Sequence, residues 1–266
     1  MKYISTAKEQ FMEPYVTLSE SQHVGYIEFF NPPHNALPSH LLAKLTQALN
    51  DAAQDNRIRV IVLRSGGNRT FCAGASFNEM VSLSNQEDST SFFMGFANVI
   101  NAIRNNPKLV IGCVQGKAVG GGVGLAAATD ICFASEFASI KLSELSIGIG
   151  PFVIEPAVTR KIGVSAMGQL TLKAQTFFSA KWAREKGLFA NVFESNEELT
   201  KEVDLFANEL KSYNSEALSS FKTIQWSGTA HWDALLKERA ELSGKLALSP
   251  FTKLKLKQYS TKNNKK

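Results

Sequence analysis

Short apolar runs alternate with stretches of helical periodicity along most of this 266-residue chain. Runs near 16–18, 24–30, 58–64, 109–115, 131–134 and 191–193 predict strands, and IRVIVLRS at 58–65 has the continuous apolar character of a buried one. Between them apolar positions recur every three or four residues, as in Leu41, Leu42, Leu45 and Leu49, which predicts an amphipathic helix. From about Asn196 the pattern is helical throughout. The expected organisation is therefore an α/β portion over 1–195 and a helical portion over 196–266, with no composition break or Pro/Ser-rich linker between them.

Residues 116–130, GKAVGGGVGLAAATD, interrupt this regularity: an apolar strand runs into three consecutive glycines and then into an alanine-rich helix from about Val123. Without a Cβ, Gly120, Gly121 and Gly122 are free to take left-handed angles and let another molecule approach the main chain. The helix behind them aims unpaired N–H groups and the positive end of its dipole at the same place, which suits a phosphate or a developing oxyanion. A tight turn or close helix packing is the plainer reading. A dinucleotide fingerprint is a third, since Gly122, Gly124 and Ala127 spell G-x-G-x-x-A and Glu144 follows twenty positions after Gly124. The mid-chain position, and the GIGP that follows that acid, rank it below an oxyanion site. Glu144 stands in the apolar, glycine-rich SELSIGIGP at 143–151, where desolvation raises a carboxyl toward the pKa of a useful base.

Residues 68–80, NRTFCAGASFNEM, repeat the logic, with a small-residue turn soon after the strand at 58–65, so that two backbone-donor turns converge on one oxygen. Together the two segments resemble the crotonase superfamily of enoyl-CoA hydratases and isomerases, which carry an A-G-A/x-D segment and a G-G-G-x-E-L segment. The resemblance runs from Val16 to about Tyr259. NPPHNAL at 31–37 is similar to the family's R-P-x-x-N-A-L, residues 139–152 to F-x-x-P-E-x-x-x-G-x-x-P, and residues 177–189 to f-s-A-x-e-A-x-x-x-G-L-V.

The resemblance implies an α/β fold, a crotonase-type spiral of ββα repeats over 1–195, followed by a C-terminal helical trimerisation region over 196–266, the trimers pairing into hexamers. It implies that the N–H groups of Ala75 and Gly121 form an oxyanion hole for a CoA thioester carbonyl, where each donor contributes about 3–4 kcal/mol to an enolate. Glu144 becomes the acid/base, and His34, Ala36, Phe71, Ala73, Gly74, Gly120 and Pro151 line the CoA and substrate groove. No cofactor is implied, coenzyme A being part of the substrate, and no metal.

The main departure is Gly124, where hydratases of the family present a first glutamate. Syn hydration is easiest with two carboxylates holding one water, whereas moving a double bond from position 3 to position 2 needs one base that removes a proton and returns it elsewhere. The vacant position favours isomerisation, with hydration of a fatty or branched 2-enoyl ester such as methylglutaconyl-CoA as the alternative. Other acids have plainer roles: Glu155 as a helix-opening charge, Glu79 as a solvated helical charge, Asp130 as a buried or capping group. Ser76 replaces a common aspartate, which leaves the backbone donor intact. Phe92, Phe93, Met94 and Phe96, after a polar and mobile stretch at 81–90, read equally as a core stripe or as the wall of an acyl pocket.

Composition narrows the rest. At 44% hydrophobic residues the chain can bury a substantial core. Cys72, Cys113 and Cys132 give neither a disulfide framework nor zinc spacing, and a reducing cytoplasm is the expected location. The N-terminal ten residues lack the apolar centre of a signal peptide, and no run is long enough for a membrane helix. None of the four histidines has ligand or triad spacing. The net charge is +5, but residues 251–266 hold six lysines and no acid, which leaves −1 on the remainder, so nucleic acid is not an expected partner. The resemblance points to a basic residue of this tail at the 3′-phosphate of CoA bound to a neighbouring subunit, and Lys257 is the candidate. A non-catalytic acyl-CoA-binding or RNA-binding paralogue is the reading from another class.

Overall fold

In the computed structural model, which describes residues 13–263, every run predicted as a strand is one, and all of them join a single sheet. Ten strands run in the order β1 (Tyr15–Ser21), β2 (Val24–Phe30), β3 (Val60–Ser65), β4 (Thr70–Cys72), β5 (Leu109–Val114), β6 (Lys117–Val119), β7 (Ile131–Ser135), β8 (Ser139–Lys141), β9 (Phe178–Ser179) and β10 (Asn191–Phe193). The larger sheet has the order β1-β2-β3-β5-β7-β10 and is parallel except for the β1-β2 hairpin. The smaller has the order β4-β6-β8-β9. Its two- and three-residue strands are too short to show any alternation, which is why the hydrophobic pattern misses them.

The helices are α1 (Ser39–Gln54), α2 (Phe77–Ser82), α3 (Gln86–Arg104), α4 (Gly121–Ala128), α5 (Glu155–Leu172), α6 (Ala180–Glu185), α7 (Asn196–Leu210), α8 (Ser215–Gln225), α9 (Trp232–Ala247) and α10 (Pro250–Asn263). Three times in succession a strand of the large sheet (β3, β5, β7) is followed by one of the small sheet (β4, β6, β8) and then by helix. The chain thus winds as a spiral of ββα turns, and the end of each small-sheet strand delivers its following loop to one side of the molecule. That side holds the candidate site.

One face of the large sheet packs on α1, α3 and α4 through Ile27, Phe29, Leu41, Leu45, Ile61 and Ile100, all without exposed surface. The other is covered by α7, whose Leu199, Val203, Ala207 and Leu210 recur on one helical stripe against Val60, Val62, Leu109 and Ile111. The division at 195/196 therefore marks where strands end rather than where a core ends. Asp130 ties α8 to the same body. It is buried, pairs with Lys222 at 2.8 Å, and accepts from Trp226 Nε1 at 2.7 Å and from Val110 N at 2.7 Å.

Two sequence expectations need correction here. The polar stretch at 81–90 is helical from Gln86, because the Asn85 side chain caps α3 by accepting from Asp88 N at 2.9 Å. Glu79 is not a solvated charge: its Oε2 accepts from Ser39 N at 2.8 Å and from Ser39 Oγ at 3.1 Å, satisfying orphan donors at the start of α1. The N-terminal ten residues and the last three lysine-rich positions lie outside the described residues.

Candidate active site

The two small-residue turns meet. Leu37 N donates to Gly74 O at 2.8 Å and Ser76 N to Leu37 O at 3.1 Å, so the parallel bridge between Leu37 and Ala75 uses the groups on either side of the Ala75 N–H. Gly74 has φ +90, and a Cβ there would lie 3.0 Å from Val119 O and 3.5 Å from Gly121 N, which places the 73–76 turn against the start of α4. Gly121 opens that helix, where an N–H has no intrahelical acceptor. The turn at 31–37 is held by Asn35, buried and at φ +54, whose Nδ2 donates to Gly66 O and Thr70 O at 2.8 Å each. Asparagine tolerates that left-handed angle better than most residues.

Only one of the three consecutive glycines takes the positive backbone angle read from the sequence. Gly120 has φ +53, while Gly121 and Gly122 are helical. These two, and Gly124, are required by space: a Cβ would approach Phe96 Cε1 to 2.3 Å at Gly121, Cys72 O to 2.5 Å at Gly122, and Ile154 Cγ2 to 2.3 Å at Gly124. Gly122 and Gly124 are sealed inside the helix packing, which removes the dinucleotide reading, since no pyrophosphate can reach them.

Glu144 opens a 3-10 helix, Glu144–Ile147, directly after β8. Gly120 N donates to Lys141 O at 2.9 Å and thereby joins the glycine turn to the strand that delivers the acid. A Cβ on Gly120 would lie 2.8 Å from Glu144 Oε1, so the carboxylate leans on the glycine turn itself. Its Oε2 is sealed from solvent and has no hydrogen-bond partner. Burial pushes the Glu144 carboxyl up to about 7, against the opposing effect of its own N–H and that of Ser143. A carboxyl poised near neutrality, with one lone pair free, is equipped to take and return a proton.

These groups face a cavity of about 350 Å³. Of the residues the sequence proposed, Ala73, Gly74, Ala75, Gly120, Gly121, Glu144 and Pro151 line it. Phe71 does not. It has no exposed surface and packs edge-on against Phe29 at 5.4 Å, because this position of β4 points into the core. His34 is exposed and meets the site only through its carbonyl, which accepts from Ala73 N at 3.2 Å, and Ala36 acts through its carbonyl on Asn31 Nδ2. Phe93 and Phe96 form part of the apolar wall with Phe77, Met80, Ile147 and Phe152, whereas Phe92 packs with Met80, Ile149 and Leu256 behind it. Glu155 begins α5, accepts from Thr159 Oγ1 at 2.7 Å and is not among the residues that line the cavity. Lys257 is an exposed position of α10.

Sequence reasoning missed a polar wall made of Lys141, Ser146, Gln175 and Tyr259. Tyr259 comes from α10, which folds over the cavity of its own chain: Leu256 is buried beside Met80, and Phe251 and Thr252 fill the space that a Cβ on Gly148 would need. No spacing signal could have revealed contacts between segments so far apart along the chain.

Known proteins resemble this chain in sequence and in fold. Residues 19–260 match the family model described as enoyl-CoA hydratase/isomerase. The mitochondrial enoyl-CoA hydratase of Pongo abelii is 33% identical over 86% of this chain and 76% of its own. The mitochondrial methylglutaconyl-CoA hydratase of Homo sapiens is 34% identical over 62% of this chain, and the match spans 48% of that protein. Among solved structures, an enoyl-CoA hydratase from Mycobacterium avium superposes with a TM-score of 0.81 at 26% identity, covering 94% of this chain and 98% of that one.

Proposed function

This chain belongs to the enoyl-CoA hydratase/isomerase family, and within it we propose an isomerase that moves a double bond from position 3 to position 2 of an enoyl-CoA thioester with one carboxylate. The observation that carries this reading is the pair of glutamate positions: Glu144 lines the cavity with a buried, unpartnered Oε2, while the space beside Gly124 is filled by Ile154.

The thioester carbonyl oxygen accepts from the N–H groups of Ala75 and Gly121. Ionised Glu144 removes a proton from C2, and the electrons pass through the C2–C1 bond onto that oxygen, giving a dienolate. The two fixed donors stabilise this charge where it develops. Glu144, now protonated, returns the proton to C4. The double bond ends between C2 and C3, and the acid is ionised again. The step needs no cofactor, because coenzyme A arrives with the substrate. Hydration of a 2-enoyl ester is the second reading, supported by the relatives named as hydratases. A homotrimer, paired into hexamers, belongs to the proposal and is supported by the exposed apolar side chains Val164, Leu172 and Ile224.

The test is to incubate the protein and Glu144→Gln with trans-3-hexenoyl-CoA, and separately with crotonyl-CoA, in heavy-oxygen water, following product mass. Conversion of the 3-enoyl ester without mass gain, lost in the variant, supports isomerisation. A water adduct of crotonyl-CoA establishes hydration instead, and inertness toward both favours an acyl-CoA-binding role.

A further inference from the structure

The polar wall of the cavity carries positive charge that the proton transfer does not use. Lys141 lines the cavity three residues before Glu144, and its ammonium lies 5.1 Å from the centroid of the Phe177 ring. Lys117 lies 5.4 Å from the same centroid. Among the described residues neither ammonium has a carboxylate within ion-pair distance.

Tyr259 stands beside them. Side-chain hydrogen bonds with Ser146 and Gln175, and the nearby ammoniums of Lys141 and Lys255, hold its hydroxyl below the usual pKa. Glu144 is not the anion that this group awaits. Its pKa is raised by burial with no lowering from a lysine, and its Oε2 has no partner, so the lysines lie away from it.

Position separates the remaining sources of negative charge. Lys141 O accepts from Gly120 N, so the lysine backbone lies one hydrogen bond from the residue next to the Gly121 donor. Its side chain lines the same cavity as Ala75, Gly121 and Glu144, the cavity that receives the acyl group. The phosphates of coenzyme A are separated from the thioester by the pantetheine arm. A carboxylate at the far end of the acyl group matches both the position and the convergence of charged and neutral donors.

We propose that this site selects acyl groups ending in a carboxylate, with Lys141 as the specificity-determining cation and Gln175 and Tyr259 as supporting donors. The inference rests on the acyl-CoA reading of the cavity but not on the reaction that follows.

Titration calorimetry of the full chain with glutaryl-CoA and pentanoyl-CoA, saturated esters of equal carbon number that do not react, tests it even if every turnover assay fails. The wild type is expected to bind glutaryl-CoA at least about tenfold more tightly, the range of a charge-assisted hydrogen bond. Lys141→Gln is expected to abolish the preference and Lys141→Arg to retain it, with the same pattern for pantetheine thioesters, which lack the nucleotide phosphates. Tyr259→Phe, remote from the strand that carries Lys141, is expected to reduce the preference in part and serves if Lys141→Gln does not fold. Equal wild-type affinities, or a preference unchanged in Lys141→Gln, would overturn the proposal. So would a variant that weakens both CoA esters equally and leaves the pantetheine esters untouched, since Lys141 then holds a phosphate.

Discussion

Ile154 occupies the space that any side chain on Gly124 would need: a Cβ there would lie 2.3 Å from Ile154 Cγ2. The position where the family resemblance implies a first glutamate is therefore filled, and filled by an apolar group. Gly124→Ala is expected to lower stability by about 1–3 kcal/mol, the usual range for overpacking, measured by denaturant unfolding. Gly124→Glu alone is expected to yield a destabilised protein without hydratase activity. Pairing either change with Ile154→Ala should recover part of the loss, because the two residues compete for one volume.

Glu144 gives a pH dependence of defined sign. Its folded pKa, about 7, lies above the ordinary 4.5, so the folded state holds the proton longer than the unfolded chain. The stability contributed by that protonation is fully present below about pH 4.5 and is lost as pH rises through 7. Glu144→Gln removes the titration, and above pH 7 it should be more stable than the wild type by on the order of 3 kcal/mol, with the difference vanishing in acid. Activity should follow the opposite course, kcat/KM rising to a plateau with an apparent pKa near 7 as the base ionises. Unfolding curves and rate profiles across pH 4–9 check both directions.

Gly120 combines φ +53 with contact to the Glu144 carboxylate. Gly120→Ala places a Cβ 2.8 Å from Glu144 Oε1 and strains an angle that alanine avoids. The Gly121 N–H and the Glu144 carboxylate should both be displaced. A fall in kcat of about 10²–10³-fold is expected, the size of losing one oxyanion donor, with the far-ultraviolet spectrum unchanged.

Asp130 is a structural ion, although it closes the glycine-rich segment. Asp130→Asn leaves the Lys222 ammonium buried without its partner and weakens the bond to Trp226 Nε1. A loss of about 3–5 kcal/mol is expected. The fraction that remains folded should turn over substrate at the wild-type rate, measured below the new midpoint of unfolding.

The large sheet was legible in the sequence because each strand is an apolar run, such as VIVLRS in β3, flanked by polar turns. The small sheet was not, because β9 has two residues and β4, β6 and β8 three each, and only their pairing defines them. The backbone turns around Ala75 and Gly121, and Glu144 beside them, were legible because small residues and a lone acid mark close approach to a ligand. The reason for most of the glycines was not: Phe96, Cys72 and Ile154 exclude their side chains, and those neighbours come from other elements. Phe71 looked like groove and is core for the same reason, since one residue of offset along a strand exchanges its faces.

The central claim is that one carboxylate carries the proton from C2 to C4. The most direct measurement is turnover of C2-dideuterated trans-3-hexenoyl-CoA in ordinary water, with the product's label located by mass spectrometry and magnetic resonance. The expected result is a 2-enoyl product that keeps part of the transferred deuterium at C4, because a proton on the buried Oε2 exchanges slowly with solvent, together with loss of turnover in Glu144→Gln. A C4 position filled wholly by solvent protons, or a Glu144→Gln variant that isomerises at the wild-type rate, would contradict it.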